Sequence, residues 1–444
     1  MSHRSEDCRN EDRPACPTRR EMLRASAGVG VLALAGAAFP AIGRTGSDRL
    51  RVGLVGCGGR GTGALVNALR ADAGADLWAI GDAFPEKIAT CLKNAAGAFP
   101  DEPTRAAPPS ERRFSGFDAY QRVIDSGVDV VLLCTPPGFR PQHLRAAVKA
   151  GVHVFCEKPV AVDAPGVRSV LESARIAKDK QLSLMSGFCW RYQSQMREVF
   201  DRVHEGGIGD LRSVQCTYNT SGFPAPKPRQ DAWSDAEFQL RNWHYFRELS
   251  GDHIVEQAVH AIDWINWAYR GVMPIRCVAV GGRSTRPDLP ETGNIWDNFG
   301  LTFEFENGAR AYHQCRHWPN TPADNTAYLI GTEGDCRVMP WRGRHLITRH
   351  DGGSWKTEAP KNDMYQQEHD ELFAAIRAGT PVNDGELMAH STLLGIMGRQ
   401  AAYTGQAVTL EQVMSSEEDL NLEPWDWTAR SSHEIPVPGK TRLW

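Results

Sequence analysis

Two segments of the chain carry side chains that could transfer protons. The first is Glu157-Lys158-Pro159, which directly follows an apolar run. A lysine at the mouth of a crevice can hydrogen-bond a substrate hydroxyl and help to move its proton, whereas the alternative is a solvated loop lysine. The second is a stretch, predicted to be helical as far as Trp267, in which Glu256 and His260 are four residues apart. That spacing puts both on one helix face, where the carboxylate would orient the imidazole and raise its basicity for acid–base work.

The predicted helix face that contains His260 could have other roles. His253, Glu256, His260 and Asp263 share the predicted face. A metal site and a purely structural role are therefore alternatives to catalysis. The pattern His-Glu-x-x-His is absent, so we expect no catalytic metal.

A glycine-rich turn indicates where a cofactor would bind. Gly56-x-Gly58-x-x-Gly61 follows the apolar residues Val52 to Val55 and precedes a helical pattern. Gly56 permits a tight turn, Gly58 lets the backbone approach a pyrophosphate, and Gly61 lets helix and strand pack closely. The pyrophosphate would lie on the N-terminal amides of the helix. This context favours a dinucleotide site over an empty turn.

Two charged residues bear on the choice of cofactor. Asp82 ends the second apolar run, within reach of a ribose hydroxyl. A carboxylate accepts hydrogen bonds from the ribose and repels a 2′-phosphate, which favours NAD over NADP. Arg60, in the glycine loop, could contact cofactor phosphate or ribose, or could be an ordinary loop arginine. Since Arg60 and Lys87 could offset the charge of Asp82, NADP remains an alternative cofactor.

Alternating strands and helices from Leu50 to Val162 must position these groups. The alternation predicts a doubly wound parallel sheet of the Rossmann type, whose ligands bind at the carboxyl ends of the strands. The candidate residues fall at or near such ends, so we expect them to meet in one crevice. Cofactor contacts are expected from Gly56, Gly58, Gly59, Arg60, Gly61, Asp82, Thr135, Pro136, His143, Glu157 and Lys158.

The second half of the chain has a different pattern. Phe299, Leu301 and Phe303 alternate with polar residues, which indicates a sheet with one covered face, and Asn307-Gly308 predicts a hairpin. We predict an α+β domain with an open-faced, mostly antiparallel sheet. The expected domains are residues 48–168 for NAD binding, 169–430 for substrate binding and oligomerisation, and a tail of residues 431–444.

Residues 1–45 are expected to be an export signal. Arg19-Arg20 lies in a twin-arginine pattern, and the uncharged segment from Ala25 to Gly43 is rich in alanine and glycine. The alternative is a basic amphipathic helix of the folded protein. A twin-arginine signal would deliver the folded protein to the periplasm, with no membrane contact once the signal is removed.

Charge and cysteine content argue against two classes of protein. The 444 residues carry a formal net charge of -4, with no basic block outside the N-terminal arm. We therefore expect no nucleic-acid partner. Nine of the eleven cysteines follow the predicted signal, without a Cys-x-x-Cys pair. This usage is typical of small buried apolar side chains rather than of a disulfide framework.

The order of these motifs resembles the Gfo/Idh/MocA oxidoreductase family. The likeness is carried by the glycine motif, Thr135-Pro136, Glu157-Lys158-Pro159 and the later group Glu256, His260 and Asp263. The resemblance implies a Rossmann domain joined to an open-faced sheet domain, through which members often form homo-oligomers. It also implies that Lys158 and His260 are the catalytic pair. Where the family commonly has an aspartate, this chain has Glu256, which we expect to orient His260.

Aromatic and polar side chains around the second motif indicate a carbohydrate substrate. Flat rings beside hydrogen-bonding groups suit sugar rings, and core aromatics are the alternative. Substrate contacts are expected from Arg191, Trp243, His244, Tyr245 and Asp263.

The expected function is NAD-dependent hydride transfer at a CH–OH carbon of a sugar, polyol or related carbohydrate. The alternative is an NAD-dependent glycosidase that oxidises its substrate transiently and cleaves by elimination. A non-catalytic sugar-binding protein is the third possibility. Because the periplasm is not expected to hold free nicotinamide cofactor, an exported enzyme should carry its NAD tightly bound.

Overall fold

A computed structural model describes residues 49–288, 290–421, 425–428 and 434–442. The predicted export signal, residues 1–45, lies outside the described residues. Within these ranges, no helix has both the length and the apolar character needed to cross a membrane.

The N-terminal half builds a parallel sheet of six strands. They are β1 (Leu50–Val55), β2 (Ala75–Asp82), β3 (Arg113–Ser115), β4 (Val130–Leu133), β5 (His153–Cys156) and β6 (Leu184–Ser186). Their order is β3-β2-β1-β4-β5-β6. The direction in which strands are added therefore reverses between β1 and β4, which opens a crevice at their carboxyl ends. The predicted doubly wound sheet is confirmed.

Helices cover both faces of this sheet, and β4 is accordingly buried along its whole length. Asp163 caps the last of these helices, where its Oδ1 accepts from Gly166 N at 2.7 Å. The helices are α1 (Gly59–Ala71), α2 (Pro85–Ala98), α3 (Ala119–Asp125), α4 (Arg140–Ala150) and α5 (Ala164–Asp179).

Strand β3 was not predicted, because its residues lie at the end of a Pro- and Arg-rich stretch that indicated a loop. It is only three residues long, and Phe114 is its one buried side chain. Pairing with Ile80, Gly81 and Asp82 of β2 holds it in the sheet. A long-range partner, rather than local propensity, therefore makes this strand.

The second half builds a sheet of nine strands. They are β7 (Leu211–Thr220), β8 (Arg276–Gly282), β9 (Asn298–Glu304), β10 (Arg310–His317), β11 (Ala327–Gly331), β12 (Gly334–Val338), β13 (Leu346–Arg349), β14 (Ser354–Lys356) and β15 (Val408–Thr409). Their order is β14-β13-β12-β11-β7-β10-β9-β8-β15. Every neighbouring pair is antiparallel except β7 and β10. The predicted mostly antiparallel sheet is confirmed, although β13, β14 and β15 were not predicted.

One face of this sheet is covered and the other is open. Phe299, Leu301 and Phe303 of β9 are buried, as their alternation predicted, whereas Tyr328 and Ile330 of β11 are exposed. The helices of this half are α6 (Ser194–His204), α7 (Asp235–Arg241), α8 (Arg247–Ser250), α9 (His253–Glu256), α10 (Val259–Ala268), α11 (Met364–Ala378), α12 (Gly385–Thr404) and α13 (Leu410–Ser415).

The prediction of a continuous helix from Gly251 to Trp267 is wrong. Helix α9 ends at Glu256, and α10 begins at Val259. The amide of Ala258 donates to His253 O, five residues back, at 2.9 Å, and His260 N donates to Gln257 O at 3.2 Å. This interruption rotates α10 relative to α9, so a four-residue spacing does not place side chains on one shared face.

Candidate functional site

A cavity of about 620 Å³ opens at the carboxyl ends of the Rossmann strands. Segment 223–245 of the second half closes its opposite side. Most residues singled out from the sequence meet here. They are Gly56, Gly58, Gly59, Arg60, Gly61, Asp82, Thr135, Pro136, His143, Glu157, Lys158, Trp243, His244, Tyr245, Glu256 and His260.

The glycine loop has the shape of a pyrophosphate cradle. Gly56 has a φ of +97°, and a Cβ there would lie 2.6 Å from the Cys134 carbonyl carbon. A Cβ on Gly61 would overlap the Gly56 carbonyl oxygen, whereas one on Gly58 or Gly59 would meet nothing within 4 Å. No side chain caps α1, so its first amides stay available to an anion. The space beside Gly58 and Gly59 therefore fits the phosphates of a dinucleotide.

Asp82 is held rigidly at the end of β2. Its Oδ2 accepts from Cys57 N at 2.6 Å and its Oδ1 accepts from Phe84 N at 2.9 Å. Burial raises the pKa of Asp82, while the two amides and Lys87 oppose that rise. Each carboxylate oxygen has further lone pairs, so the group can accept from a ribose while remaining anchored.

His143 forms part of a neutral wall of the cavity. Its Nδ1 lies 3.3 Å from Thr135 Oγ1, and its ring stacks on Tyr120 with centroids 4.1 Å apart. Burial, reinforced by Arg140, lowers the pKa of His143 to about 3. The imidazole is therefore uncharged at neutral pH and suits packing against a cofactor better than proton transfer.

Arg60 links the glycine loop to the Glu-Lys-Pro segment. Its Nε lies 3.1 Å from Glu157 Oε1, and its guanidinium lies over the Tyr365 ring at 4.8 Å. The other oxygen, Glu157 Oε2, accepts from Lys158 N at 3.1 Å. A Cβ at residue 187 would lie 2.7 Å from Glu157 Oε2, so Gly187 leaves room for this carboxylate. The ion pair thus sets the position of Lys158 relative to the cofactor loop.

Lys158 contacts Glu256 across the cavity. Its Nζ donates to Glu256 O at 2.6 Å and lies 3.8 Å from Glu256 Oε1. Both side chains are largely buried. In the described part of the chain, Glu256 makes no hydrogen bond to His260. The expectation that Glu256 orients His260 is therefore corrected: the break after α9 turns the carboxylate towards Lys158.

His260 is a neutral imidazole rather than a strengthened base. Burial first, and then the positive charge of Lys158, lower the pKa of His260 well below its ordinary value. Among the described residues its Nδ1 has no hydrogen-bond partner. The ring lies between Tyr218, with centroids 6.4 Å apart, and the edge-on ring of Phe188 at 6.3 Å. The expected rise in basicity is absent, but a neutral imidazole at this place can still accept a proton.

A short aromatic turn lines the same cavity as Lys158 and His260. Residues Trp243–Tyr245 form a short 3₁₀ turn, in which the Trp243 and His244 rings stack with centroids 3.6 Å apart. The Phe223 ring meets His244 edge-on at 4.9 Å. Burial lowers the pKa of His244. The turn thus offers flat apolar surfaces beside polar nitrogens.

Two residues predicted to contact substrate do not line the cavity. Arg191 Nε lies 2.8 Å from Asp263 Oδ2, and Arg191 Nη2 donates to Asp263 Oδ1 at 2.8 Å. Ser391 Oγ also donates to this carboxylate, at 2.6 Å. Asp263 is only 1% exposed, because α10 turns it towards α12. The structure assigns the pair to packing between elements.

Other cavity residues were missed in the sequence. Arg140 is buried, and its Nη1 donates to Pro159 O, which holds the Glu-Lys-Pro loop. Its place shortly after Thr135-Pro136 was a usable signal. Tyr365, by contrast, comes from α11, and nothing local in the sequence pointed to it.

The comparisons with known proteins agree with this geometry. The family model described as "Oxidoreductase family, NAD-binding Rossmann fold" matches residues 50–188, which defines an NAD-binding oxidoreductase. The model of the GFO/IDH/MocA C-terminal domain matches residues 196–337. The chain belongs to the Gfo/Idh/MocA oxidoreductase family, and it is an NAD(P)-dependent oxidoreductase of that type.

Several relatives span most of the chain. An inositol 2-dehydrogenase of Rhizobium meliloti is 30% identical over 325 residues, covering 73% of this chain and 86% of the relative. A myo-inositol 2-dehydrogenase of Thermotoga maritima is 22% identical, covering 82% of this chain and 100% of the relative.

Solved structures share the fold. A levoglucosan dehydrogenase in complex with NADH and levoglucosan matches with a TM-score of 0.65 at 19% identity, covering 82% of this chain and 99% of that one. An aldose-aldose oxidoreductase of Caulobacter crescentus, complexed with glycerol, matches with a TM-score of 0.63 at 21% identity, covering 82% and 100%.

A buried acid beside the site generates a pH prediction. Glu368 of α11 is fully buried, and in the described part of the chain neither carboxyl oxygen has a hydrogen-bond partner. Burial and then repulsion by Glu157 raise the pKa of Glu368 well above its ordinary value. Its stabilising contribution is therefore complete below the unfolded-state pKa and is lost as pH rises through the folded-state pKa.

Replacing Glu368→Gln should remove this pH dependence. When pH is raised from about 5 to about 8.5, the unmodified chain should lose about 1–2 kcal/mol of its free energy of unfolding relative to the variant. Urea unfolding at both pH values measures the shift. Asp370→Asn removes an exposed carboxylate from the same helix, so its free energy of unfolding should differ from that of the unmodified chain by the same amount at both pH values. If the two variants showed the same dependence on pH, the assignment would be contradicted.

Proposed function

We propose that the protein oxidises a CH–OH carbon of a sugar, polyol or related carbohydrate, with Lys158 and His260 as its acid–base pair. The observation that carries the proposal is that the Lys158 side chain shares one cavity with the pyrophosphate cradle and the aromatic turn. A hydroxyl seated there would lie between the cofactor site and the lysine.

The residues present fit a bound dinucleotide. The amides after Gly58 would hold the phosphates, Asp82 would accept from the adenosine ribose, and Thr135 and His143 would line the far wall. Bound NAD supplies the hydride acceptor. The side chains then need only orient the alcohol and remove its proton.

The two catalytic candidates have separate tasks. Lys158 is anchored by Glu256 O and faces the cavity, so its ammonium can hold the substrate oxygen by a charge-assisted hydrogen bond. His260 is kept neutral by burial and by that same cation, so it can accept the hydroxyl proton. Arg60 and Glu157 keep Lys158 in place without touching the alcohol.

The substrate class is supported by the cavity wall and by the relatives. Trp243, His244 and Phe223 present ring faces beside polar atoms, as carbohydrate sites do. The relatives are named as inositol dehydrogenases, and one structural neighbour holds levoglucosan. A cyclic polyol or sugar is therefore the first substrate to test.

A redox-neutral glycosidase is the second candidate, because His244 places another imidazole beside His260 in the cavity wall. Such an enzyme would turn over without a second carbonyl substrate and would return its cofactor unreduced. A dehydrogenase would stop after one equivalent of retained NAD is reduced. Following nicotinamide absorbance during turnover of a glycoside separates the two.

Removing the lysine should abolish chemistry while leaving the cofactor site intact. In Lys158→Ala we expect hydride transfer to fall by about 10²–10⁴-fold, as for loss of an acid–base group, with unchanged NAD affinity. Single-turnover absorbance and calorimetric NAD titration measure these quantities. Lys178→Ala, which removes an exposed lysine of α5, is the matched control; a normal rate in Lys158→Ala would take the lysine out of the mechanism.

The cofactor is proposed to be NAD, retained by the folded protein during twin-arginine export to the periplasm. Asp82, fixed where the ribose would lie, favours NAD over NADP. Arg19-Arg20 and the uncharged segment after it support export. The nine cysteines from Cys57 to Cys336 are free, and eight are buried, so folding before export requires no disulfide formation.

Protein recovered from the periplasmic fraction should therefore carry NAD(H) in about one-to-one ratio. Denaturing it and identifying the released nucleotide checks identity and retention together. A variant with Arg19→Lys and Arg20→Lys should remain in the cytoplasm, still loaded. Periplasmic protein without nucleotide would contradict retention, and equal export of the variant would contradict the signal.

The open sheet face is proposed to join copies of this chain. Tyr328 and Ile330, two residues apart on β11, and Val280 on β8 lie exposed on it, and exposed apolar side chains on an uncovered sheet face are found at interfaces. Light scattering of the purified protein should give a multiple of the monomer mass, and Ile330→Asp should lower it. A monomeric mass for the unmodified protein would refute the proposal.

A further inference from the structure

We propose that Trp425 and Trp427 slow the release of the dinucleotide by clamping the loops that line the adenosine end of its site. This inference rests on the proposed function, because it requires a dinucleotide with an adenine base in the cavity. The tryptophans do not line the cavity, so they act through residues that do. They are positioning residues for cofactor binding.

Three phenylalanines form the adenosine end of the cavity. Phe84 follows β2 and is two residues beyond Asp82, Phe117 follows β3, and Phe139 follows β4. Phe84 and Phe139 are each only 7% exposed. Strands β3 and β2 are neighbours and only β1 separates β2 from β4, so the three loops lie at the same carboxyl edge of the parallel sheet. An adenosine group bound there would contact all three loops, so separation of the loops would favour its release.

Two tryptophans near the C-terminus bridge these loops from outside. Trp425 meets Phe139 at a centroid distance of 4.5 Å and Phe117 at 6.2 Å. Trp427 meets Phe117 at 4.7 Å and Phe84 at 5.5 Å. Phe117, which both indoles contact, is the middle ring. Each indole therefore ties together loops that follow two different strands.

The chain is anchored before it reaches the phenylalanines. Arg399 Nη2 donates to Glu418 Oε2 at 2.9 Å, and Leu420 N donates to Asp163 Oδ2 at 2.8 Å. Arg399 is completely buried, so detaching Glu418 would leave a buried charge without its carboxylate partner. The Trp425 indole is also fixed, because its Nε1 donates to Asn421 Oδ1 at 3.1 Å.

A second anchor follows the tryptophans. Gly439 N donates to Thr404 O, at the end of α12, at 3.0 Å. The segment is therefore attached to the body of the protein on both sides of Trp425 and Trp427. Anchoring at two points lowers the entropic cost of holding the indoles against the phenylalanines.

The physical consequence concerns the off-rate of the cofactor. Opening the adenosine end would break four aromatic contacts, each with a specific ring geometry. The described ring contacts of the two indoles include neither Lys158 nor His260. Their loss should therefore appear in cofactor release rather than in hydride transfer.

The test compares cofactor release in three variants of the full chain. The double variant Trp425→Ala/Trp427→Ala removes both indoles, and the double variant to Phe keeps smaller rings in place. Trp341→Ala removes a tryptophan of the turn between β12 and β13, 57% exposed, and is the matched control. Each protein is loaded with NADH and chased with excess NAD in a stopped-flow instrument.

We expect the Ala double variant to release NADH about tenfold faster or more, the Phe double variant to be intermediate, and the control to match the unmodified chain. Hydride transfer in a single turnover should change less than the off-rate does. An unchanged off-rate in the Ala variant would overturn the proposal, as would equal falls in both rates. If the unmodified chain bound no NADH, the proposed function itself would fail.

Discussion

The contact between Lys158 and Glu256 joins the two halves of the site. Lys158 follows a strand of the parallel sheet, and Glu256 ends a helix of the second half. The lysine is also tied back to the glycine loop, since Glu157 binds both its amide and Arg60. Through this contact the glycine cradle and the proposed acid–base pair are linked to the second half of the chain.

Neighbouring charges and burial together set the electrostatic state of the groups around Lys158. The cation of Lys158 keeps His260 neutral, and burial acts in the same direction. Arg60 holds Glu157, while burial and that neighbouring carboxylate raise the pKa of Glu368 well above its ordinary value. Arg60 and Lys158 thus offset the charges of Glu157 and Glu256, and this pairing reduces the cost of burying the carboxylates. The positive lysine remains free to act on an alcohol.

The cavity is closed by different means at its two ends. At the substrate end, the turn of Trp243 and His244 supplies ring faces from the second half of the chain. At the adenosine end, three phenylalanines on neighbouring loops are backed by two tryptophans from the C-terminal region. Hydride chemistry needs an environment without water, and aromatic walls provide it without introducing charge.

The sequence by itself determined the Rossmann sheet, the glycine cradle and the place of Lys158, because periodicity and strand ends are local properties and parallel strands bring their carboxyl ends together. It also predicted the alternation on β9. Only the tertiary structure decided that Glu256 faces Lys158, that Arg60 pairs with Glu157, and that Arg191 and Asp263 are buried in packing. These outcomes depend on a two-residue break between helices and on partners up to about a hundred residues away, which no local pattern records.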